Sequence, residues 1–320
     1  MKAVAVCRMT IKVINQIVDI IVLTIVMMLI AFAFYALWDS DQIYKRADRS
    51  QYTVYKPTIE NEGLSFQELQ AINPEVIAWL TVYGTNIDYP VTQGKDNLKY
   101  VRTDAKGNYS LTGSIFLDSG NSSDFSDFNS ILYGHHMEKQ TMFGEIGEFA
   151  DERTFYTHRY GDLYVEGTNY GIEFFVFLSA DAYDRTIFIP GVKGDRQQEY
   201  LDSLMERAIL ARDIGVTTDD RIILLATCAS DSTNGRDILV GRLSDEVFED
   251  PFAKTETDSV NNGQGAADNS QLCVVSEIPL WVELIVLVML IWLLVRIRRL
   301  LRMRKGRKVN ANVDGEKGRN

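Results

Sequence analysis

The chain has 320 residues, 46% of them hydrophobic, and carries 44 Asp and Glu side chains against 33 Lys and Arg, for a net charge of -11. That length can bury one sizeable core or two small ones, and the acidic balance disfavours nucleic acid as a partner. The chain has 3 cysteines, which excludes a disulfide framework.

The first predicted element is a transmembrane helix over residues 13–38. Its apolar part runs from Ile20 to Trp38 without a charge and is long enough to cross a bilayer core of roughly 30 Å. The preceding segment contains Lys and Arg residues, so residues 1–12 are predicted to be cytoplasmic by the positive-inside rule. A cleaved signal peptide remains an alternative, because Ala31 and Ala33 have the spacing of a cleavage site. In both cases the region that follows is exported.

A second transmembrane helix is predicted over residues 278–295. Its apolar run, Pro279 to Val295, contains Glu283 close to its first end, where a charge costs less than at the bilayer midplane. A basic run from Arg296 to Lys308 follows it. Residues 296–320 are therefore predicted to form a basic cytoplasmic tail, which places everything between the two helices outside the cell.

Between the helices, the composition predicts a polar extracellular stalk (39–62), a folded domain (63–252) and a flexible linker (253–277) with little to bury. The domain begins with a short amphipathic helix, LSFQELQAIN, which Pro74 stops. A further helix is predicted over RQQEYLDSLMERAIL. Its apolar stripe comprises Tyr200, Leu201, Leu204, Met205 and Ala208.

Several short segments rich in Val, Ile, Phe and Tyr have the length and composition of β-strands. In chain order they are VIAWLTV, IDYPVTQ, GSIFLD, NSILYG, LYVEG, IEFFVFLSA, RTIFI, RIILLATC and DILVGRL. Repeated short strands separated by Gly, Asn and Asp indicate a barrel or a sandwich. The domain is therefore predicted to be mainly β with peripheral helices.

Chemically distinctive residues lie at the ends of some of these strands. NSILYGHHM leads into His135 and His136, RIILLATC ends on Cys228, and NGRDILVGRL carries Arg236 at its start. The intervening ASDSTNG is a loop, so the last two strands are predicted to form a hairpin that brings Cys228 and Arg236 to one rim. If the strand before His135 ends beside them, a thiol, an imidazole and a guanidinium converge.

Together these groups can perform acyl transfer. A thiol has a reference pKa of about 8.5, and a neighbouring imidazolium or guanidinium favours the reactive thiolate. Arg236 keeps its charge and can stabilise an oxyanion, while His135 can give a proton to a leaving amine. Taken singly, each residue is more often a packing, loop or surface residue, so a non-catalytic binding module remains the alternative. No metal or cofactor is expected, because adjacent His135 and His136 cannot readily bind one ion.

The order of these residues, together with YGHHM, TMFGEI, LLATC and GRDILV, resembles the sortases, the cysteine transpeptidases of Gram-positive cell surfaces. NPEVIAWLTVYGTNIDYPVTQGKDNLKYV and GSIFLDSGN make the likeness closest to class B. The resemblance implies a closed eight-stranded β-barrel with peripheral helices, flanked here by two transmembrane helices. It also implies that Cys228 is the nucleophile, His135 the acid/base, Arg236 the stabiliser of the oxyanion or substrate, and Thr227 a contact of the acyl group.

The implied reaction cleaves a sorting signal of surface proteins or pilins and passes the acyl group to an amine of a cell-wall peptide or a pilin lysine, with hydrolysis as a side reaction. Loops such as Ala180 to Lys193 are expected to build the substrate groove.

Two features depart from the family pattern. Leu224 replaces the first Thr of the family's Thr-Leu-x-Thr-Cys, and a C-terminal membrane helix is more typical of the pilin-polymerising class C. Class C members tend to carry an Asp-Pro-aromatic lid before the domain, whereas Asp250 to Phe252 follows its last strand. A class B domain that serves pilus or surface-protein assembly is therefore favoured.

Overall fold

The computed structural model describes residues 2–57, 63–228 and 234–253, without the side chains of residues 2–9, 138 and 228. The predicted second transmembrane helix, the basic tail and the linker beyond residue 253 lie outside the described residues. Their boundaries stay predictions. The chain divides into two compact units, and the unit that starts at Asp41 contains the whole β-sheet.

One continuous helix, α1 (Lys2–Ala47), forms the N-terminal part of the chain. Its stretch Thr10–Ala47 is long and apolar enough to cross a membrane. The Thr24 hydroxyl donates to the Ile20 carbonyl at 2.7 Å, so this polar group is satisfied within the helix. The helix continues past the predicted boundary at residue 38, and Ala47 and Tyr52 are buried in the region predicted as a polar stalk.

The other elements belong to the domain. Its α-helices are α2 (Leu64–Ile72), α3 (Glu152–Thr157) and α4 (Arg196–Glu206). Its strands are β1 (Val76–Val82), β2 (Asp88–Thr92), β3 (Ile115–Leu117), β4 (Asn129–Tyr133), β5 (His136–Met137), β6 (Thr141–Met142), β7 (Tyr160–Val165), β8 (Thr168–Asp181), β9 (Ala208–Ala211), β10 (Arg221–Cys228) and β11 (Gly235–Ser244). Short 3-10 helices lie at Arg49–Gln51, Thr53–Tyr55, Lys99–Val101, Glu138–Gln140 and Ile146–Ala150.

Eight strands close into a barrel, which confirms the predicted fold class. Neighbours in the sheet follow the order β11, β10, β4, β3, β2, β1, β7 and β8, and β8 pairs back to β11. Strand β9 pairs with β8 outside this ring. The barrel is mixed, because β2 runs parallel to β3 and β4 runs parallel to β10. The second of these pairs joins segments that are far apart in the sequence.

Strand alternation sorts the apolar side chains into two buried clusters. The inner cluster lies within the barrel and includes Leu132 and Leu225. The outer cluster joins the opposite face of the same strands to α4 through Leu201 and Leu204. Leu224, which departs from the family pattern, is fully buried in this outer cluster. The aliphatic run of β10 is therefore explained by burial of both of its faces.

Two local predictions differ from the structure. RTIFI, predicted as a strand, forms turns, and its Ile187 is buried in the outer cluster. Its side chains are apolar because they pack onto the sheet. The hydrophobic pattern alone does not distinguish such a segment from a strand that pairs within the sheet. The helix predicted over RQQEYLDSLMERAIL ends at Glu206, and β9 follows. Met205, assigned to the buried stripe, is 45% exposed.

The partly buried carboxylate of Asp162 makes the stability of the domain depend on pH. Burial raises the pKa of Asp162 to about 6, and the charges of Asp88 and Asp250 act in the same direction, against Thr81 and Lys56. Thr81 pairs with Asp88 across β1–β2 and with Asp162 across β1–β7, so the two carboxylates flank one residue. Between about pH 4 and pH 6 the folded state binds this proton more tightly than the unfolded chain does, so stability falls as pH rises through that window.

Replacing Asp162 with Asn is expected to raise the free energy of unfolding at pH 7 by about 2 kcal/mol, because the amide has no charge to bury. Below about pH 4 the gain should disappear, since the native carboxyl is then protonated in both states. Denaturant unfolding of the full chain across this range measures the effect. The exposed Asp219→Asn is the control, and an Asp162→Asn variant that is less stable at pH 7 would contradict the assignment.

Candidate active site

Cys228 and Arg236 lie opposite each other at one end of the β10–β11 hairpin. The two strands are antiparallel, and their register pairs Thr227 with Asp237 and Cys228 with Arg236. Cys228 is the last residue of β10, so the β10–β11 ladder ends at this pair. The predicted strand pairing is confirmed.

His135 reaches the same rim from the other side of β10. Strand β4 runs parallel to β10, and Tyr133 is in register with Ala226. The ladder extends one residue further, because the Gly134 amide donates to the Ala226 carbonyl at 3.2 Å. Two residues beyond the Tyr133–Ala226 pair, the two strands lead to His135 and Cys228. The three strand ends that the sequence singled out therefore meet at one edge of the barrel.

Alternation along the strands also assigns faces. Ala226 and Ile238 belong to the outer cluster, and Tyr133 packs against it. Positions 228 and 236 continue that alternation on the outer face, and positions 227 and 237 fall on the inner face. His135 follows the end of β4, and His136 begins β5, which pairs with β6 in a separate two-stranded sheet. The choice of His135 over His136 as the catalytic histidine stays a prediction.

A backbone carbonyl holds the His135 ring. Its Nε2 lies 2.9 Å from the Val101 oxygen. A carbonyl can only accept, so Nε2 carries the proton in this arrangement and Nδ1 is the nitrogen that can exchange a proton. Gly113 lies beside this hydrogen bond, in the left-handed region at φ +58. A Cβ at this position would lie 2.8 Å from the same Val101 oxygen, so a larger residue would crowd the acceptor of the His135 ring.

The glycine of YGHHM is required by packing. A Cβ on Gly134 would lie 2.6 Å from the Phe143 ring, which comes from the TMFGEI motif. The Phe143 amide also donates to the His135 carbonyl at 3.1 Å. The two motifs therefore form one unit that fixes the backbone of His135. Next to it, His136 pairs with Met142, and its buried Nδ1 has no hydrogen-bond partner among the described residues.

Arg236 supplies the permanent positive charge at this rim. Among the described residues its guanidinium donates only to the Gly235 carbonyl, at 2.9 Å, which leaves other N–H groups for a substrate. Burial and the adjacent Asp118 raise the pKa of Tyr133 far above its usual value, whereas the charge of Arg236 acts in the opposite direction. Arg236 and Tyr133 therefore interact electrostatically on the outer face.

Aromatic side chains line the outer face beside these residues. The Tyr133 ring lies 5.4 Å from Phe116 and 6.2 Å from Phe188, measured between centroids. The Tyr133 hydroxyl donates to Asp118 at 3.0 Å, which fixes the ring. We call Phe116, Tyr133 and Phe188 the aromatic wall. Phe188 comes from the Ala180 to Lys193 loop, which the sequence analysis assigned to the groove.

Asn129, at the start of β4, holds that loop against the sheet. Its side-chain amide donates to the Ile189 carbonyl at 2.7 Å, and its side-chain oxygen accepts from the Val192 amide at 2.7 Å. Asn129 is fully buried, so both groups need these partners. Sequence reasoning missed Asn129, Val101 and Asp118. For Asn129 one signal was available, because it is a polar residue at the start of an otherwise apolar strand. No such signal marked Val101 or Asp118.

Other candidate residues occupy less distinctive places. Thr227 is 1% exposed, and its hydroxyl has no partner among the described residues. Its contact with an acyl group stays a prediction. His158 stacks on Phe252 with ring centroids 4.8 Å apart. Within the described part of the chain, no group of three or more His, Cys, Asp or Glu side chains is arranged to hold a metal ion.

Comparison with known proteins places this arrangement in a family. No family model matches the sequence. The chain is 31% identical over 179 residues to sortase B of Listeria monocytogenes, covering 55% of this chain and 73% of that protein. The chain belongs to the sortase B family. Members of this family are cysteine transpeptidases, and so is this chain.

Solved sortase structures share the fold of this sortase. The sortase B of the type II pilus of Streptococcus pneumoniae is 50% identical, with a TM-score of 0.51, over 57% of this chain and 99% of that one. A class B sortase of Streptococcus pyogenes involved in pilus biogenesis is 36% identical, with a TM-score of 0.53, over 57% and 100%. The similarity thus spans the barrel domain of this sortase rather than the whole chain.

Proposed function

We propose that this sortase cleaves a sorting signal of exported proteins with Cys228 as nucleophile, His135 as acid/base and Arg236 as the oxyanion and substrate stabiliser. The observation that carries the assignment is the meeting of three strand ends. Cys228 pairs with Arg236 across β10–β11, and two residues before Cys228, Ala226 pairs with Tyr133 of β4. The oriented His135 ring and the guanidinium of Arg236 are the two groups that favour a thiolate.

The steps balance as follows. The Cys228 thiolate attacks the scissile carbonyl, and Arg236 donates hydrogen bonds to the oxyanion. The C–N bond breaks as the His135 imidazolium gives its proton to the leaving amine, which leaves a thioester and a neutral imidazole. An acceptor amine then displaces the sulfur, a new C–N bond forms, and the amine proton returns to His135. Attack by water instead of the amine gives hydrolysis.

The outer face supplies a site for the sorting signal. The aromatic wall offers apolar surface next to Arg236, and the loop that carries Phe188 is held in place by Asn129. A peptide lying along this face would place its carbonyl at the rim, where β10 ends. Specificity for the residues before the cleaved bond is therefore expected to depend on Phe116, Tyr133 and Phe188.

The membrane arrangement is part of the proposal. Helix α1 includes a stretch that can span a bilayer, and basic residues precede it in the sequence. We place the N-terminus in the cytoplasm and the barrel outside the cell, with the basic C-terminal tail returning to the cytoplasm. The acceptor is assigned to a pilin lysine, because the 50% identity is to a sortase of a type II pilus. A cell-wall peptide is the alternative amine.

The direct test is a search for the thioester. The full chain, in detergent, is incubated with a panel of sorting-signal peptides, and the Cys228-containing fragment is analysed by mass spectrometry. We expect a mass increase equal to the acyl fragment for at least one peptide, with loss of the adduct after hydroxylamine treatment. A chain that forms no adduct with any peptide would contradict the proposed function.

The two adjacent histidines provide a matched pair of variants. His135→Ala is expected to lower turnover by about 10²–10⁴-fold, because the leaving amine then loses the general acid proposed for it. His136→Ala is expected to leave thioester formation largely intact, because His136 belongs to β5, which pairs with β6 apart from the β4–β10–β11 rim. Single-turnover rates of thioester formation compare the two variants. A larger loss in His136→Ala than in His135→Ala would reverse the assignment.

A further inference from the structure

A buried tyrosine attaches the end of α1 to the barrel. The hydroxyl of Tyr89, on β2, donates to the carbonyl of Ala47, the last residue of α1, at 2.9 Å. The last carbonyls of a helix have no partner within the helix, so this bond satisfies one of them. Ala47 is 1% exposed and Tyr89 is 2% exposed, so the bond is shielded from water.

The same hydroxyl also holds the hairpin that follows the candidate catalytic histidine. Tyr89 accepts a hydrogen bond from the Met142 amide at 3.1 Å. Met142 lies on β6 and pairs with His136 on β5. A phenol hydroxyl can donate one hydrogen bond and accept another, so both bonds form together. Burial raises the pKa of Tyr89 to about 12, so the proton that Ala47 accepts stays in place at neutral pH.

From Met142 the connection reaches His135 in one further residue. The Phe143 amide donates to the His135 carbonyl at 3.1 Å, and its ring lies against Gly134. Tyr89, Met142 and Phe143 all belong to the inner cluster. Close-packed interiors transmit a displacement instead of absorbing it. A shift of Tyr89 would therefore move the backbone that carries His135.

The β5–β6 hairpin depends on contacts from outside it. Lys139, Gln140 and Met142 have φ angles between +53° and +60°, which residues other than glycine keep only where their surroundings hold them. The Lys139 ammonium lies 4.4 Å over the ring of Tyr44 on α1. The Asn86 side chain donates to Gln140 at 3.4 Å. The end of α1 therefore supports this hairpin at two points, directly through Tyr44 and through the Ala47–Tyr89 bond.

We propose that Tyr89 is a positioning residue of this sortase, whose hydroxyl ties the end of α1 to the backbone that carries His135. This inference rests on the proposed role of His135. Tyr89 belongs to the inner cluster, whereas the outer face is assigned to the sorting signal. Loss of the hydroxyl should therefore slow the chemical step without weakening peptide binding. The end of the membrane-crossing helix then serves catalysis as well as anchoring.

The test compares two tyrosines whose hydroxyls reach different parts of the domain. Tyr89→Phe keeps the ring and removes the hydroxyl. Tyr83→Phe does the same where the hydroxyl donates to the Phe248 carbonyl at 3.3 Å, beyond the end of β11. The full chain in detergent is mixed with one sorting-signal peptide, and thioester formation is followed over a single turnover.

Tyr89→Phe is expected to lower the maximal rate of thioester formation about tenfold, because a small displacement of a reacting group has a large effect on rate. The peptide concentration that gives half of this rate should stay within about twofold of the wild-type value, since the hydroxyl does not face the peptide. Tyr83→Phe should match the wild type in both quantities.

The histidine rings give a readout that a loss of stability alone would not change. The chain has 3 histidines, so replacing each in turn assigns their ¹³C–¹H signals in the NMR spectrum of the full chain. In Tyr89→Phe the His135 signal should shift, whereas the signal of His158, which stacks on Phe252, should stay in place. Tyr83→Phe should leave the His135 signal unchanged.

The outcomes separate this inference from the proposed function. A wild-type chain that forms no thioester contradicts the proposed function, and an unshifted His135 signal in Tyr89→Phe independently overturns the positioning role. A wild-type rate in Tyr89→Phe overturns the positioning role alone. So does a higher half-maximal peptide concentration at an unchanged maximal rate, because the hydroxyl would then serve peptide binding.

A second variant decides the question if Tyr89→Phe does not unfold cooperatively. Tyr44→Leu removes the ring beneath Lys139 at the same end of α1 and leaves the Tyr89 hydroxyl in place. It is expected to shift the His135 signal and to slow thioester formation on the order of threefold, in keeping with the loss of one cation–π contact. An unshifted signal and a wild-type rate would overturn the inference.

Discussion

Cys228→Ala is expected to abolish transpeptidation, with turnover reduced by roughly 10⁴-fold or more. The reason is that the proposed covalent intermediate is a thioester on Cys228, and loss of a nucleophile removes the whole catalytic unit. Turnover of a sorting-signal peptide, followed by mass spectrometry, measures the loss. The thermal unfolding midpoint of the same variant should remain close to that of the wild type, because the change removes a single sulfur atom at a strand end.

The remaining cysteines serve as controls for this variant. The chain has 3 cysteines, so Cys7→Ala and Cys273→Ala test whether any other thiol contributes. Both are expected to retain wild-type turnover, since neither lies in the sortase-like segment of the sequence. A thiol reagent should modify Cys228 in the folded wild type, and a sorting-signal peptide should protect it. Residual turnover in Cys228→Ala comparable to the wild type would show that Cys228 is not the nucleophile.

Arg236→Ala is expected to slow thioester formation by about 10²–10³-fold, the loss found when one oxyanion donor is removed. The effect should fall mainly on kcat, because the developing oxyanion exists only in the transition state. Arg236→Lys keeps the charge but not the planar fork of N–H donors, so partial recovery is expected. Single-turnover kinetics with one sorting-signal peptide separates these contributions.

An exposed arginine supplies the control. Arg153, on α3, is exposed, and its replacement by Ala removes the same charge from the domain. Thioester formation by Arg153→Ala should match the wild type. If both variants slow the reaction equally, the effect of Arg236 is one of net charge rather than of local hydrogen bonding. If Arg236→Ala only raises KM, the guanidinium binds the peptide and does not stabilise the oxyanion.

Local patterns in the sequence were sufficient for much of the site. The aliphatic run before Cys228 predicted a buried strand, and the short loop after it predicted the hairpin, because a short connection between two strands favours antiparallel pairing. The pairing of Cys228 with Arg236 follows from these two features. The glycine before His135 belongs to the YGHHM motif, and only the structure gives a reason for it, because a Cβ there would meet the Phe143 ring.

Other features depend on contacts that no local pattern encodes. The RTIFI segment has the composition of a strand, yet it packs on the outer face of the sheet. There Asn129 donates a hydrogen bond to its Ile189 carbonyl, and Tyr200 donates one to its Ile187 carbonyl. The orientation of His135 depends on a backbone carbonyl at Val101. A carbonyl is present in every residue, so nothing in the sequence distinguishes that one.

The sequence by itself predicted most of the strands, an N-terminal helix able to cross a membrane and the residue types of the candidate site, because alternation, hydropathy and turn residues act over a few neighbouring positions. Only the tertiary structure decided that β4 lies parallel to β10, and hence that His135 reaches the Cys228–Arg236 rim. It also decided that Phe116, Tyr133 and Phe188 come together as the aromatic wall. The physical reason is that closing a barrel pairs distant strands through the packing of the whole core, and that packing sets their register.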